Sequence, residues 1–143
     1  MAGDVYLPDT SVWVLRGRHE SVKRRCDKLL LTGRMATCQM TAMEYLNNVS
    51  DLRTYKRLWD SCAKQRWIDV TSQAMDRAIE VHHKLAERGQ HRNFRLPDLI
   101  IAATAELNGA TVLHYDVDYD RIAAITGQAT EWVAPRGSLA PRT

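Results

Sequence analysis

The chain has 143 residues, of which 45% are hydrophobic and 26% are charged. These proportions are typical of one globular domain that can bury its own core. The net charge of +3 permits a polyanionic partner without requiring one. The three cysteines form no C-x-x-C pair, so they indicate neither a zinc site nor a disulfide framework. We expect a cytoplasmic protein, because the sequence has no signal peptide and no apolar run of the roughly 20 residues that span a membrane.

Short apolar runs alternate with amphipathic stretches along the chain. Strands are predicted at residues 5–7, 34–38, 67–71, 111–115 and 130–133. Helices are predicted to begin near Val12, His19, Thr41, Asp51, Ser72, Leu96 and Arg121. The alternation predicts an α/β fold with a central parallel sheet of about four to five short strands flanked by helices. No repeat or linker interrupts it, so residues 1–134 are predicted to form one domain and residues 135–143 a C-terminal tail.

Carboxylates stand at the ends of several predicted elements. Asp9 follows the first strand, and Asp116 and Asp118 follow a late one. Glu44 lies in the predicted first turn of the helix after the second strand, and Asp98 opens a helix that is apolar on nearly every side. Because ligands of parallel α/β sheets bind at the carboxyl ends of the strands, we expect these carboxylates to meet there.

Grouped carboxylates favour one kind of chemistry. They repel one another unless a cation lies between them. Mg²⁺ and Mn²⁺ prefer oxygen ligands, and a bound divalent cation can activate water and stabilise the oxygens exchanged in phosphodiester hydrolysis. The sequence offers no convincing serine–histidine or cysteine–histidine pair as a competing catalytic system. The pattern therefore indicates metal-assisted hydrolysis of a phosphodiester.

Each acidic residue also has a purely structural explanation. Asp9 could cap a helix, and Asp98 could balance the dipole at a helix start. Glu44 could complete a capping box with Thr41. Asp120 is better explained as a cap for the short helix that follows than as a ligand. These explanations are independent of one another, and all would have to hold at the same edge of the sheet, which favours a common site.

Four segments follow one another along the chain: Asp9-Thr10-Ser11, Glu44 after Thr41, residues 96–105 and residues 113–123. In this order and at these spacings they resemble a PIN domain, and the closest resemblance is to the VapC-type toxins of bacterial toxin–antitoxin pairs. The resemblance extends over essentially the whole chain. It implies a metal-dependent endoribonuclease that cuts RNA, often tRNA or ribosomal RNA, inhibits translation and is neutralised by a small antitoxin.

The resemblance also implies site residues. It assigns a catalytic quartet of acidic residues, Asp9, Glu44, Asp98 and Asp116. It assigns Mg²⁺ or Mn²⁺ to four carboxylates, Asp9, Asp98, Asp116 and Asp118. No acidic position of the family pattern is missing, so the resemblance favours an active enzyme.

Further side chains are predicted to support the site or to contact RNA. Thr10 and Ser11 would support it through hydroxyl hydrogen bonds. Basic and aromatic side chains near the predicted edge could hold phosphates or stack on unpaired bases, namely Trp13, Arg16, Arg18, Arg92, Phe94 and Arg95. The alternative is that Trp13 belongs to the core and the arginines form a solvated surface. The implied partners are an RNA substrate, a cognate VapB-like antitoxin with a basic side chain for the acidic pocket, and a second copy of the chain.

Other classes fit the sequence less well. An EF-hand loop starting at Asp116 fails, because Arg121 and Gly127 stand where it needs glycine and glutamate. A receiver domain needs a lysine after a late strand, and no lysine follows Lys84. A haloacid-dehalogenase-like phosphatase needs D-x-D after its first strand, which is absent here. A non-catalytic PIN-fold module that binds RNA or protein remains the alternative.

Overall fold

Seven α-helices and five short strands make up residues 4–139, the part of the chain that the computed structural model describes. The strands are β1 (Tyr6–Pro8), β2 (Ala36–Thr37), β3 (Arg66–Trp67), β4 (Thr111–His114) and β5 (Thr130–Trp132). The helices are α1 (Thr10–Arg16), α2 (Glu20–Leu31), α3 (Gln39–Asn47), α4 (Leu52–Ala63), α5 (Ser72–Glu87), α6 (Leu96–Leu107) and α7 (Val117–Thr126). A single 3₁₀ turn, His91–Asn93, precedes α6. Within residues 4–139, no helix has both the length and the apolar character to cross a membrane.

All strand pairs are parallel, so the predicted α/β fold is confirmed. β4 lies between β1 and β5 in a three-stranded sheet, and β2 pairs with β3 in a second sheet. An isolated bridge between Tyr6 and Met35 joins the two sheets, and the Tyr6 N–H donates to the Arg34 carbonyl at 2.8 Å. The prediction of one continuous sheet is corrected here: the five strands form a three-stranded and a two-stranded sheet. Between β1 and the β2 side only the single Tyr6–Met35 bridge forms, and β2 and β3 contain only two residues each.

Helices cover both faces of the sheet. Successive strand residues point to opposite faces, and Leu7 and Val112 pack into the core formed with α5, α6 and α7. Leu113, the next residue of β4, packs on the other face with Val12 of α1 and Cys26 of α2. The carboxyl edge of the strands is therefore bounded by helix starts from both layers, and the acidic residues lie there.

The predicted capping box of Thr41 and Glu44 is wrong. Helix α3 begins at Gln39, and its cap is Cys38, whose side chain makes no capping hydrogen bond. Thr41 is buried, and its hydroxyl contacts the Cys38 sulfur at 3.4 Å instead of a helix N–H. Glu44 consequently lies in the second turn of α3 rather than the first, and its carboxylate is not used by the helix start.

The predicted start of the last helix is also wrong. Helix α7 begins at Val117 rather than at Arg121, and it is capped by Asp116 rather than by Asp120. The Asp116 carboxylate accepts the backbone N–H of Asp118 at 2.9 Å. An aspartate in extended backbone conformation is a strong N-cap, so the first of the three aspartates in this segment begins the helix.

The C-terminal segment after β5 is described as far as residue 139. The backbone N–H of Leu139 donates to the Tyr115 hydroxyl at 3.2 Å, and the Leu139 side chain packs against the core on the α1–α2 side. Residues 140–143 of the predicted tail lie outside the described residues. The boundary at residue 134 stays a prediction.

Candidate metal centre

Three carboxylates from three different helix starts or turns meet at the carboxyl edge of the strands. Asp9 comes from the junction of β1 and α1, Glu44 from α3, and Asp98 from the first turn of α6. One oxygen of each lies within 4.8 Å of the others. We call these three residues the acidic cluster. It is the one group of three or more acidic, histidine or cysteine side chains in residues 4–139 that is arranged closely enough to hold a metal ion.

Asp9 is held by the backbone that joins β1 to α1. Its N–H donates to the Leu113 carbonyl of β4 at 2.9 Å. Asp9 occupies the cap position of α1, but its side chain makes no capping hydrogen bond and instead accepts the Ser11 hydroxyl at 2.8 Å. Burial raises the pKa of Asp9, the hydrogen bond from Ser11 opposes the rise, and the charge of Glu44 adds to it. The side chain therefore faces the cluster and does not serve the helix.

Glu44 is bound on both carboxylate oxygens. The Thr10 hydroxyl donates to Oε1 at 2.9 Å, and the Arg95 guanidinium donates to Oε2. The Arg95 side chain is 67% exposed and that of Glu44 only 11%. Thr10 and Ser11 thus each donate a hydroxyl hydrogen bond to a carboxylate of the acidic cluster.

Asp98 is the member of the acidic cluster whose pKa is raised to about 7. It is the third residue of α6, after Pro97 at the second position, and only 3% of it is exposed. The Tyr119 hydroxyl donates to Asp98 Oδ1 at 3.2 Å. Burial and the charge of Asp9 raise the pKa of Asp98 to about 7, against the opposing charge of Arg95. Near neutral pH Asp98 is therefore only partly ionised when no cation is bound.

The acidic cluster fits a small, hard cation. Its ligand atoms are all carboxylate oxygens, which Mg²⁺ and related ions prefer. Two of its members have raised pKa values, so their negative charges are poorly compensated by the protein. Arg95 contacts the cluster from the exposed side, at Glu44, and its charge opposes the pKa rise of Asp98 only in part. A divalent cation would relieve the repulsion that remains.

Three aspartates at the start of α7, Asp116, Asp118 and Asp120, form what we call the acidic segment. It lies at the same edge as the acidic cluster, because β1 and β4 pair in parallel with Pro8 opposite Leu113. Its carboxylates are outside the 4.8 Å group. Asp116 caps α7, and Asp118 accepts the Arg121 guanidinium at 3.0 Å. The structure thus brings together three of the five acidic residues that the sequence selected.

The two aromatic side chains predicted to contact RNA differ in how deeply they are buried. Phe94 is 7% exposed and belongs to the core between α5 and α6, so its predicted role in base stacking is wrong. Burial of this large aromatic side chain is favoured by the hydrophobic effect. Trp13 is half-buried and packs against Tyr45 with ring centroids 6.5 Å apart. It therefore retains one accessible side in the groove beside α3.

The four arginines predicted to contact RNA lie in different environments. Arg95 reaches the acidic cluster directly through Glu44. Arg16 donates to Asp27, with its Nη2 atom 2.6 Å from Oδ1, and its side chain is 34% exposed. Arg18 and Arg92 are exposed. Of the four arginines, Arg95 is the one that the structure places at the carboxylates.

Sequence reasoning missed two buried polar residues beside the site, Tyr119 and His114. Both are fully buried. The Tyr119 hydroxyl binds Asp98, and His114 Nδ1 accepts the Asp116 backbone N–H at 3.2 Å. A helix start at Val117 would have indicated Tyr119, because Tyr119 and Ile122 then share one helix face at i, i+3 spacing. No signal in the sequence singles out His114.

Comparison with known proteins agrees with this geometry. A family model described as PIN domain matches residues 6–125. A relative named Ribonuclease VapC18, from Mycobacterium tuberculosis, is 40% identical over 137 residues, which cover 94% of this chain and 99% of the relative. A second, Ribonuclease VapC51 from the same organism, is 37% identical and covers 94% of this chain and 96% of the relative.

Solved structures give the same result. DNA-bound VapBC from Salmonella typhimurium superposes with a TM-score of 0.74 at 18% identity, covering 92% of this chain and all (100%) of the other. VapBC-5 from Mycobacterium tuberculosis superposes with a TM-score of 0.61 at 25% identity, covering 91% and 98%. The first of these likenesses concerns the fold alone. With the matched domain and the near full-length relatives, the chain belongs to the PIN domain family and, within it, to the VapC group.

Proposed function

We propose that this protein is a metal-dependent endoribonuclease toxin that hydrolyses RNA phosphodiester bonds and is neutralised by a cognate antitoxin. The observation that carries the proposal is the meeting of Asp9, Glu44 and Asp98 within 4.8 Å at the carboxyl edge of the strands. The names of the relatives support it, because both are called ribonucleases. We further propose that the substrate is tRNA or ribosomal RNA, that its cleavage inhibits translation, and that the protein acts in the cytoplasm.

The cation we propose is Mg²⁺ or Mn²⁺, held by Asp9 and Asp98 in the acidic cluster and by Asp116 and Asp118 from the acidic segment. When bound, such an ion supplies an activated water and compensates charge on the reacting phosphate. Asp98 is partly protonated near pH 7 in the metal-free protein, because its pKa is raised to about 7, and it gives up that proton when the cation binds. Glu44 completes the catalytic quartet and keeps Arg95 at the site.

Arg95 is the RNA contact that the geometry supports best. Its guanidinium is exposed and rests on Glu44, and a phosphate oxygen is an equally suitable acceptor for it. A cavity of about 260 Å³ opens beside this pair, lined also by Val14, Asn47 and Asn48. We propose that the RNA backbone enters here, with Arg95 on a phosphate next to the bond that is cut. Trp13, Arg16 and Arg92 remain proposed RNA contacts that make no hydrogen bond to the acidic cluster.

The proposed partner is an antitoxin that covers the exposed apolar side of α4. Leu52, Tyr55 and Trp59 are 65%, 42% and 43% exposed, although large apolar side chains are usually buried. A groove of about 540 Å³ runs beside α4 and is lined by Trp13 and Tyr45 among others. The structural neighbours are VapBC complexes, which supports a toxin–antitoxin pair. A second copy of the chain is the other partner we propose.

Cleavage of total cellular RNA by the purified, antitoxin-free protein tests the function. We expect discrete cuts with Mg²⁺ or Mn²⁺, mapped as new 5′ ends, and none with EDTA. Asp98→Asn should reduce cleavage below detection, because it removes a buried ligand charge. Asp76→Asn on α5, an exposed aspartate outside the acidic cluster, is the matched control and should cut like the wild type.

Two results would contradict the proposal. Retained cleavage by Asp98→Asn, in a preparation free of contaminating nuclease, would remove the acidic cluster from the reaction. Absence of cleavage by the folded wild type with either metal, on RNA from several sources, would favour a non-catalytic PIN-fold module that binds RNA or protein.

A further inference from the structure

Tyr119 is a large, fully buried residue that places a polar atom on the acidic cluster. Its side chain is the largest of the fully buried side chains in residues 4–139, and 0% of it is exposed. It lies in the first turn of α7, and its hydroxyl reaches across to Asp98 Oδ1 in the first turn of α6, at 3.2 Å. A buried hydroxyl is costly unless it is hydrogen-bonded, so this contact is part of what allows a tyrosine here.

The phenol ring is fixed by aromatic packing on its other side. The His114 ring lies 5.0 Å from the Tyr119 ring, with 31° between the two planes. His114 in turn packs on Trp132 at 5.1 Å and accepts the Asp116 N–H at Nδ1. Two helices and the end of β4 thus hold the ring, and the hydroxyl cannot move away from Asp98 without repacking them.

The hydrogen bond uses one of the two oxygens of the Asp98 carboxylate. The Tyr119 hydroxyl donates to Oδ1, and no hydrogen bond to Oδ2 is found within residues 4–139. A carboxylate can accept at both oxygens, so Oδ2 keeps its capacity to bind another group.

We propose that Tyr119 is a positioning residue for the metal site, an inference that rests on the proposed function. By binding Oδ1, its hydroxyl fixes the rotation of the Asp98 carboxylate and presents Oδ2 to the cation. The terminal torsion of an aspartate is otherwise broad, so a carboxylate without this bond samples many orientations. A hydrogen bond that orients a ligand in this way contributes to metal affinity rather than to the fold alone.

The test compares two removals of a tyrosine hydroxyl. Tyr119→Phe keeps the ring and its packing but removes the donor to Asp98. Tyr115→Phe is the matched control, because its hydroxyl accepts the Leu139 N–H and its ring also packs on Trp132, at 5.4 Å. Mn²⁺ affinity is measured by calorimetry at pH 8, and thermal unfolding without metal confirms that each variant is folded.

We expect Tyr119→Phe to weaken Mn²⁺ binding by about 10- to 100-fold, the range for partners of metal ligands, and Tyr115→Phe to leave it within about twofold of the wild type. A purely structural role would lower the melting temperature without changing the affinity. Wild-type affinity in a folded Tyr119→Phe would overturn the inference.

Failure of the proposed function is seen separately in the wild type. If the wild type binds Mn²⁺ but cuts no RNA, the function fails while the affinity loss in Tyr119→Phe still supports the positioning role. If the wild type binds no Mn²⁺, the metal site and the positioning role both fail.

Discussion

The acidic cluster and the acidic segment both contain carboxylates at the same edge of the strands, but these carboxylates differ in burial and in hydrogen-bond partners. The carboxylates of the cluster come from residues far apart in sequence, and they are buried or nearly so. Those of the segment lie within five consecutive residues, and each has its own hydrogen-bond donor. Asp116 accepts a backbone N–H, Asp118 accepts Arg121, and Asp120 accepts the Trp132 indole N–H at 3.1 Å.

This difference shows where a cation would change the energy most. A carboxylate with its own hydrogen-bond partner contributes to the fold without a metal. Burial raises the pKa of both Asp9 and Asp98, the charge of Glu44 adds to the rise at Asp9, and the charge of Asp9 adds to the rise at Asp98. Protonation of one carboxylate or a cation between them relieves this repulsion. We therefore expect most of the free energy of metal binding to come from the cluster and less of it from the segment.

The largest expected effect is a pH-dependent loss of stability caused by Asp98. Its pKa is about 7 in the folded protein, compared with 3.8 for an ordinary exposed aspartate. The folded state thus binds the proton more tightly, so stability from this group is present below about pH 4 and is lost as the pH rises towards 7. Each pKa unit corresponds to roughly 1.4 kcal/mol, which gives a loss on the order of a few kcal/mol for the metal-free protein.

Urea unfolding in EDTA at pH 5 and pH 8 measures this effect. The difference between wild type and Asp98→Asn isolates it from the other titrating groups, and the variant should gain stability relative to the wild type at pH 8. Mn²⁺ should restore the wild type at pH 8 and have little effect on the variant. An equal difference at both pH values would show that Asp98 is not the perturbed group.

The sequence was sufficient for the elements whose signals are local. The run that ends at Asp9, the strand at 111–114 and the apolar helix that begins with Leu96 are each indicated by a few neighbouring residues. Parallel strands between helices then place Asp9, Asp98 and Asp116 at one edge without any knowledge of side chains. This explains why the acidic residues could be selected before the structure was known.

Two features of the site could not be predicted from the sequence: the start of α7, for which several caps compete, and contacts between residues far apart in the chain. Aspartates stand at every second position from 116 to 120, and each of them could cap a helix. Local propensity does not decide among Asp116, Asp118 and Asp120. The choice of Asp116 turns Tyr119 inward and brings its hydroxyl to Asp98. The pairing of Arg95 with Glu44 joins residues 51 positions apart and has no local signal.

A smaller effect is expected at Asp116, where two substitutions separate two roles. Asp116→Ala removes the cap of α7 and should cost about 1 kcal/mol of stability. Asp116→Asn keeps a capping side chain and removes only the charge, so stability should be retained while Mn²⁺ affinity and RNA cleavage fall. If Asp116→Asn binds Mn²⁺ like the wild type, Asp116 is a helix cap and not a ligand.

The smallest effect is expected at Asp118. Its partner Arg121 is 59% exposed and one turn away on the same helix, and such surface pairs contribute about 0.5 kcal/mol or less. Asp118→Asn should therefore leave urea stability nearly unchanged and weaken Mn²⁺ binding less than Asp116→Asn does, as measured by calorimetry in parallel. Because Arg121 already compensates the Asp118 charge, a cation gains least from this carboxylate. A larger loss from Asp118→Asn than from Asp98→Asn would mean that the metal lies in the acidic segment and that the acidic cluster only supports it.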